Sequence, residues 1–219
     1  MKKSDLLSIL FVGAVVLLFV YPLSYEAYAD AYSRAPMLLS FIKFAVLATF
    51  GEMLVARLRT GSYLPARFGL VPKALVWGVL GVFIWIAFGI FSHGVTALLF
   101  SETSAISRAA AEAGAAASVG ARLLNAFAIS FFMNIIFAPI MMFTHHLTDT
   151  YIAQNGGRFP LSGFRMVPLL ESADWQRMWG FVYKKTIPAF WIPAHTVTFL
   201  LPEELRVLFA VVLSVFLGL

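Results

Sequence analysis

Two charged side chains, Lys43 and Glu52, interrupt one otherwise apolar stretch of this 219-residue chain, the run from Met37 to Ala56. A charge at the middle of a bilayer costs roughly 2.5–3.5 kcal/mol on insertion scales, so such residues face the protein interior, a partner or water. They lie nine positions apart. On a helix that separation puts them on opposite faces and roughly 13 Å apart along the axis, too far to pair with each other. Glu52 stands near Arg57 and Arg59. It serves either as an interfacial ion pair that fixes helix packing or as the lining of a polar pathway. Lys43 either snorkels outward or lines the same pathway.

His145, His146 and Asp149 form an H-H-x-x-D cluster. On a helix His145 and Asp149 share a face, as two ligands of one metal would. Without a fourth ligand the cluster is better described as polar residues at a loop edge, and neither a metal nor another cofactor is expected. His195 stands among Thr196 and Thr198, and Asn125, Ser130 and Asn134 punctuate another apolar run. Interhelical hydrogen bonding is the default use of such residues. Lining of a polar pathway is the alternative for Asn134, His195 and Thr198. No G-x-S-x-G, Walker A, G-x-G-x-x-G or H-E-x-x-H sequence occurs, and cysteine is absent. Enzymatic activity therefore has no positive support, and the chain is not expected to be an enzyme.

The elements that must position these residues are membrane helices. Apolar residues make up 61% of the chain and charged residues only 12%, with a mean hydropathy of +0.87. A soluble domain carries about 25% charged residues. Uncharged or nearly uncharged runs cover Leu6 to Tyr25, Met37 to Ala56, Ala74 to Ser101 and Leu123 to Thr148. At 1.5 Å per residue each is long enough for a core of about 30 Å. A fifth run, Thr186 to Pro202, carries Pro188 and Pro193, is marginal in length and should be kinked. A sixth, Val207 to Leu219, is short by several residues. The spacing thus predicts an all-α transmembrane bundle of about six segments in a single domain, 1–219. The first run could instead be a signal peptide, with Ala27-Tyr28-Ala29 as a cleavage pattern, but a retained helix is the expectation.

With the N-terminus placed in the cytoplasm, eleven basic residues fall on the cytoplasmic side: Lys2, Lys3, Arg57, Arg59, Arg67, Lys73, Arg158, Arg165, Arg177, Lys184 and Lys185. The four on the other side are Arg34, Arg108, Arg122 and Arg206. That bias has the sign of the positive-inside rule and puts both ends in the cytoplasm. Basic residues in short loops mark topology and anionic lipid, so the net charge of +5 does not indicate nucleic acid. Tyr21, Tyr25, Tyr28 and Tyr32 share one helical face, and Trp175, Trp179 and Val182 share another. Both predict short amphipathic helices on the membrane surface. The alanine-rich stretch 109–118 predicts a helix extended beyond the bilayer.

Several motifs in order resemble the family of Mpv-seventeen and the twenty-two-kilodalton peroxisomal membrane protein. Tyr28, Pro36, Gly51 and Glu52 keep the spacing of the family's Tyr, Pro and Gly-Asp, with Glu in place of Asp; Ala56 replaces the family's Gln. Ala138-Pro139 is similar to the A-P of its third helix. Trp191, Phe199, Pro202 and Arg206 match the signature W-P-x-x-Q-x-x-N-F-x-x-V-P-x-x-x-R, in which His195 replaces Gln and Thr198 replaces Asn. The proline after Trp191 is displaced by one, and one residue is missing before Pro202. The resemblance covers 28–219 and leaves 1–27 as an added helix. It implies a multi-helix protein linked to solute permeability or membrane homeostasis, with no established reaction. The expected function is channel-like or transporter-like handling of small solutes, against a non-conducting structural or interaction protein. The expected partners are membrane lipids, small solutes and further copies of the chain, with no nucleic acid. The N-terminus lacks the character of a mitochondrial presequence, so a bacterial plasma membrane is preferred to an organellar one.

Overall fold

The computed structural model describes residues 3–101 and 115–218, and these are helical with no strand among them. α1 (Lys3–Val20) and α2 (Pro22–Arg34) are followed by α3 (Pro36–Thr60) and α4 (Leu70–Leu99). α5 (Ala115–Gln154) is the longest. The short α6 (Met166–Glu171), α7 (residues 175–200) and α8 (Glu203–Gly218) complete the chain. Of the alanine-rich stretch, only the backbone of 115–118 falls within the described residues, where it opens α5.

Among the described residues, four helices are long and apolar enough to cross a membrane: Lys3–Val20, Pro36–Thr60, Leu70–Leu99 and Val119–Gln154. The expected six segments are therefore not all matched. The fifth apolar run lies in α7, which is wound as a π-helix over Met178–Trp191 and continues as an α-helix only from Ile192 to Leu200. Nine α-helical residues rise about 14 Å, half of a bilayer core. Pro188 lies inside the wide turns and Pro193 in the first turn of the α-helical part, so a change of winding accommodates both rings. α8 has sixteen described residues, about 24 Å of helix.

Pro36 occupies the first turn of α3, where its missing N–H is not needed. Gly61, at φ 79°, ends that helix just beyond Arg57 and Arg59. α4 starts after Gly69, at φ 75°. A Cβ there would stand 2.5 Å from Ile152 and 2.9 Å from the Gly157 carbonyl oxygen. This close approach sets the first turns of α4 against the last turns of α5. α3 and α4 approach as tightly. A Cβ on Gly78 would lie 2.5 Å from the Phe41 ring, and one on Gly81 would lie 2.6 Å from the Phe44 Cβ. Small residues that let two helices close are the usual way to gain packing when lipid gives no hydrophobic drive between them.

The main core joins Phe44 of α3, Leu80, Ile84 and Phe88 of α4, Met133 of α5 and Phe199 of α7. α1 buries no residue; Leu7, Leu10, Leu17 and Val20 are all exposed, as a lipid-facing surface requires. It is tied to the bundle by a two-pronged ion pair, in which Arg57 Nε and its terminal nitrogen donate to Asp5 at 2.9 and 3.1 Å.

The tyrosine face of α2 departs from a helix lying freely on the surface. Tyr28 is buried and its hydroxyl accepts from Lys43 Nζ at 2.8 Å. The same ammonium lies 4.6 Å from the Tyr32 ring centre, within cation–π range. Lys43 is 7% exposed, so it turns inward to the tyrosines and does not snorkel. On the other side, Trp175 stacks on Phe143 and its indole donates to the Leu170 carbonyl.

Candidate functional site

Three helices bring their charges to one point. Glu52 comes from the middle of α3, Lys73 and Trp77 lie one turn apart at the start of α4, and His145 and Asp149 lie one turn apart near the end of α5. Lys73 Nζ donates to Glu52 at 2.5 Å and to Asp149 at 2.6 Å. Trp77 Nε1 donates to the other Glu52 oxygen at 2.6 Å, and His145 Nε2 stands 3.0 Å from that same oxygen. The Trp77 and His145 rings are 4.3 Å apart. The Lys73 side chain is only 13% exposed, so these bonds act where water screens little.

Glu52, His145 and Asp149 offer ligand atoms within 4.8 Å of one another, a separation that a metal ion could bridge. The Lys73 ammonium is bonded to both carboxylates and takes the position of a cation between them. The cluster is a closed ion network, which does not fit a metal while Lys73 is in place.

A second polar group lies deeper. Ser130 Oγ donates to the Ile192 carbonyl at 2.7 Å. The Asn134 amide nitrogen donates to the Ser130 carbonyl at 2.8 Å, and the amide meets His195 Nδ1 at 3.0 Å through its nitrogen and 3.2 Å through its oxygen. Asn125 accepts from Thr96 at 3.1 Å. Asn125, Ser130 and Asn134 thus all bond across or along the helix interface. Replacing Asn134 by leucine leaves His195 Nδ1 buried and unpaired, and is expected to cost about 1–2 kcal/mol in detergent unfolding measurements. Wild-type stability in that variant would show that the His195 contact contributes nothing.

Between the two polar groups runs a cavity of about 450 Å³. On α3 its wall is Phe44, Ala48, Glu52, Val55 and Arg59, a 3–4 residue repeat that marks a single face. On α5 the wall is Met133, Phe137, Met141, His145 and Asp149, spaced by four throughout. Phe88 of α4, Trp191 and His195 of α7 and Ala210 of α8 close it. From Phe44 to Thr60 the wall follows about 24 Å of helix axis, so the space is a long slot. Its exposed lining residues, Arg59, Thr60 and Arg177, form the mouth, and Asn134 and His195 lie at the buried end. Trp191 lines the cavity, and its indole N–H is buried with no hydrogen-bond partner among the described residues.

Of the five pathway candidates, Glu52, Asn134 and His195 line this cavity. Lys43 is outside its wall, held by Tyr28. Thr198 is fully buried, and its hydroxyl turns back to the Ala194 carbonyl at 3.0 Å. The motif positions serve several structures. Gly51 and Trp191 line the cavity, Pro36 opens α3, and Pro139 lies inside α5 with its carbonyl accepting from Tyr183. Phe199 packs 5.1 Å from Phe88. Pro202 follows the end of α7, and Arg206 Nε donates to the Leu201 carbonyl at 3.0 Å. Arg206 therefore satisfies a carbonyl that the broken helix leaves open.

One expectation is corrected. His145 and Asp149 lie on the inner face of α5 and not at a loop edge, because α5 continues to Gln154. Glu52 is in an ion pair between helices, with Lys73, Trp77 and His145 as its partners, while its neighbour in sequence Arg57 is engaged by Asp5. Sequence reasoning missed Lys73 and Trp77. The available signal was their four-residue spacing at the head of an uncharged run, which puts both on one face.

Fold and cavity define a class, an all-helical protein with helices long and apolar enough to be embedded in a membrane. Comparison with known proteins adds no family, since no family model, no curated protein and no solved structure matches the chain.

Proposed function

We propose that the chain is an integral membrane protein that admits a small solute from the Arg59–Arg177 end into the bundle, a channel-like or transporter-like role in membrane permeability or homeostasis. The observation that carries this reading is that Glu52 and His195, from separate helices, line one slot about 24 Å long. A mouth at one end and a hydrogen-bonded Asn134–His195 pair at the other suit a gated path better than an open pore. The motif resemblance to the Mpv-seventeen family goes with the same reading. So does a layout in which the four long helices cross the membrane, α7 and α8 pack against them, and the basic loops face the cytoplasm of a bacterial plasma membrane. Membrane lipids are the surrounding partners, and self-association is open to the exposed face of α1.

The natural absence of cysteine makes the test clean. Met142→Cys lies in the cavity wall, and Ile136→Cys on the exposed face of α5 serves as reference. With the protein in vesicles, a membrane-impermeant maleimide is expected to label Met142→Cys from one side only and to leave Ile136→Cys unlabelled. No labelling of Met142→Cys from either side, with the protein folded, sinks the reading. The non-conducting alternative is favoured by the sealed Ser130–Asn134–His195 group. It wins if Met142→Cys is labelled but vesicles show no solute flux above empty controls.

A further inference from the structure

We propose that the slot binds a single-chain amphiphile with an anionic head, its apolar chain between α3 and α5 and its carboxylate or phosphate against Arg177. The proposal rests on the solute-binding reading and names the class of solute.

The wall decides the body of the ligand. Between the mouth and the Asn134–His195 pair, the lining is dominated by Phe44, Phe137, Met133, Met141 and Met142. A hydrophilic solute in this stretch would find Glu52, Asn134 and His195 already bonded within the protein, and most of its hydroxyl or amide groups would be left without partners, at a cost of kilocalories per group. An apolar chain instead gains about 25 cal/mol for each Å² removed from water. Methionine suits a flexible chain, because its unbranched, polarizable side chain adapts to irregular shapes. A volume of about 450 Å³ is within the ~300–1,000 Å³ range of small-molecule sites, and its length favours an extended body.

The charges decide the head. Both carboxylates that border the slot are already bonded to Lys73, and Glu52 also accepts from Trp77 and faces His145. A cationic head would have to displace an ammonium that is tethered in place and so present at high effective concentration. Arg177 differs. It lines the mouth, its side chain is exposed, and Asp174 engages its backbone N–H. A guanidinium in that position matches a carboxylate or phosphate in two-pronged geometry. Arg59 adds positive charge to the same mouth.

The test is photo-crosslinking with a palmitic acid that carries a diazirine near its methyl end, on the full chain in phosphatidylcholine nanodiscs. Adducts are expected on Met133, Phe137 and Met141. Excess palmitate or lysophosphatidate should suppress them, and hexadecyltrimethylammonium should not. Whichever anion competes at the lower concentration identifies the source as free acid or lysolipid, and both outcomes support the proposal. Arg177→Glu, on an exposed position, should reduce labelling about tenfold, as loss of one charge-assisted contact implies. It should also make the ammonium amphiphile the better competitor. Adducts confined to the outward Ile135 and Ile136, equal competition by the ammonium, or an unchanged preference in Arg177→Glu each overturn the proposal. If any of these occurs while Met142→Cys is still labelled, the solute class is wrong and the solute-binding reading stands. If Met142→Cys is also unreactive, both fall.

Discussion

Lys73→Met is expected to destabilise the protein by about 3 kcal/mol, the largest effect of any polar substitution considered, because removing one partner of a buried ion network strands the others. Without the ammonium, Glu52 and Asp149 are left close together and poorly hydrated. Their side chains are 20% and 32% exposed, which keeps the effect at the low end of the range for fully buried pairs. Removing the negative charge as well should restore part of the loss, so Lys73→Met with Glu52→Gln should be more stable than Lys73→Met alone. Unfolding in mixed micelles of dodecyl maltoside and dodecyl sulfate would measure both. If Lys73→Met alone retains wild-type stability, the network contributes no structure. If the second substitution makes matters worse, Glu52 is held mainly by Trp77 and His145.

The second large effect is steric. Gly81→Val should cost about 3 kcal/mol, at the upper end of overpacking penalties. The atom that a Cβ would meet at 2.6 Å is the Phe44 Cβ, which cannot move without its backbone. Gly78→Ala should be milder, since its nearest neighbours are far-edge atoms of the Phe41 ring, which can rotate away. Gly81→Ala should therefore be the more damaging of the two alanine variants in thermal unfolding. Because Phe44 also lines the slot, any tolerated change at Gly81 should lower labelling of Met142→Cys as well. Equal stability of the two alanine variants would mean that α3 and α4 are looser than their contacts indicate.

Much of this protein was legible from its residues alone. Apolar runs of sufficient length, with little or no charge, specify the four helices long enough to cross a membrane, because a helix rises by a constant amount per residue and a charge in lipid is costly. The same periodicity separates Lys43 from Glu52. They do end on different partners, Tyr28 for one and Lys73 for the other. It also puts His145 with Asp149 and Ser130 with Asn134 on shared faces. Apolarity without length misled the count beyond four: Pro188 and Pro193 lie in a segment whose winding changes at Trp191, and hydropathy does not register winding.

What only the tertiary structure decided is which cation reaches Glu52 and where the polar residues converge. Lys73 is 21 positions from Glu52 and His145 is 93. No local pattern spans those distances. Their meeting depends on the close approach of α3 and α4 at Gly78 and Gly81 and of the two loops at Gly69 and Gly157. The slot follows from the same packing. Each wall is a regular helical face visible in the sequence, but the space between the walls exists only once the helices are set side by side.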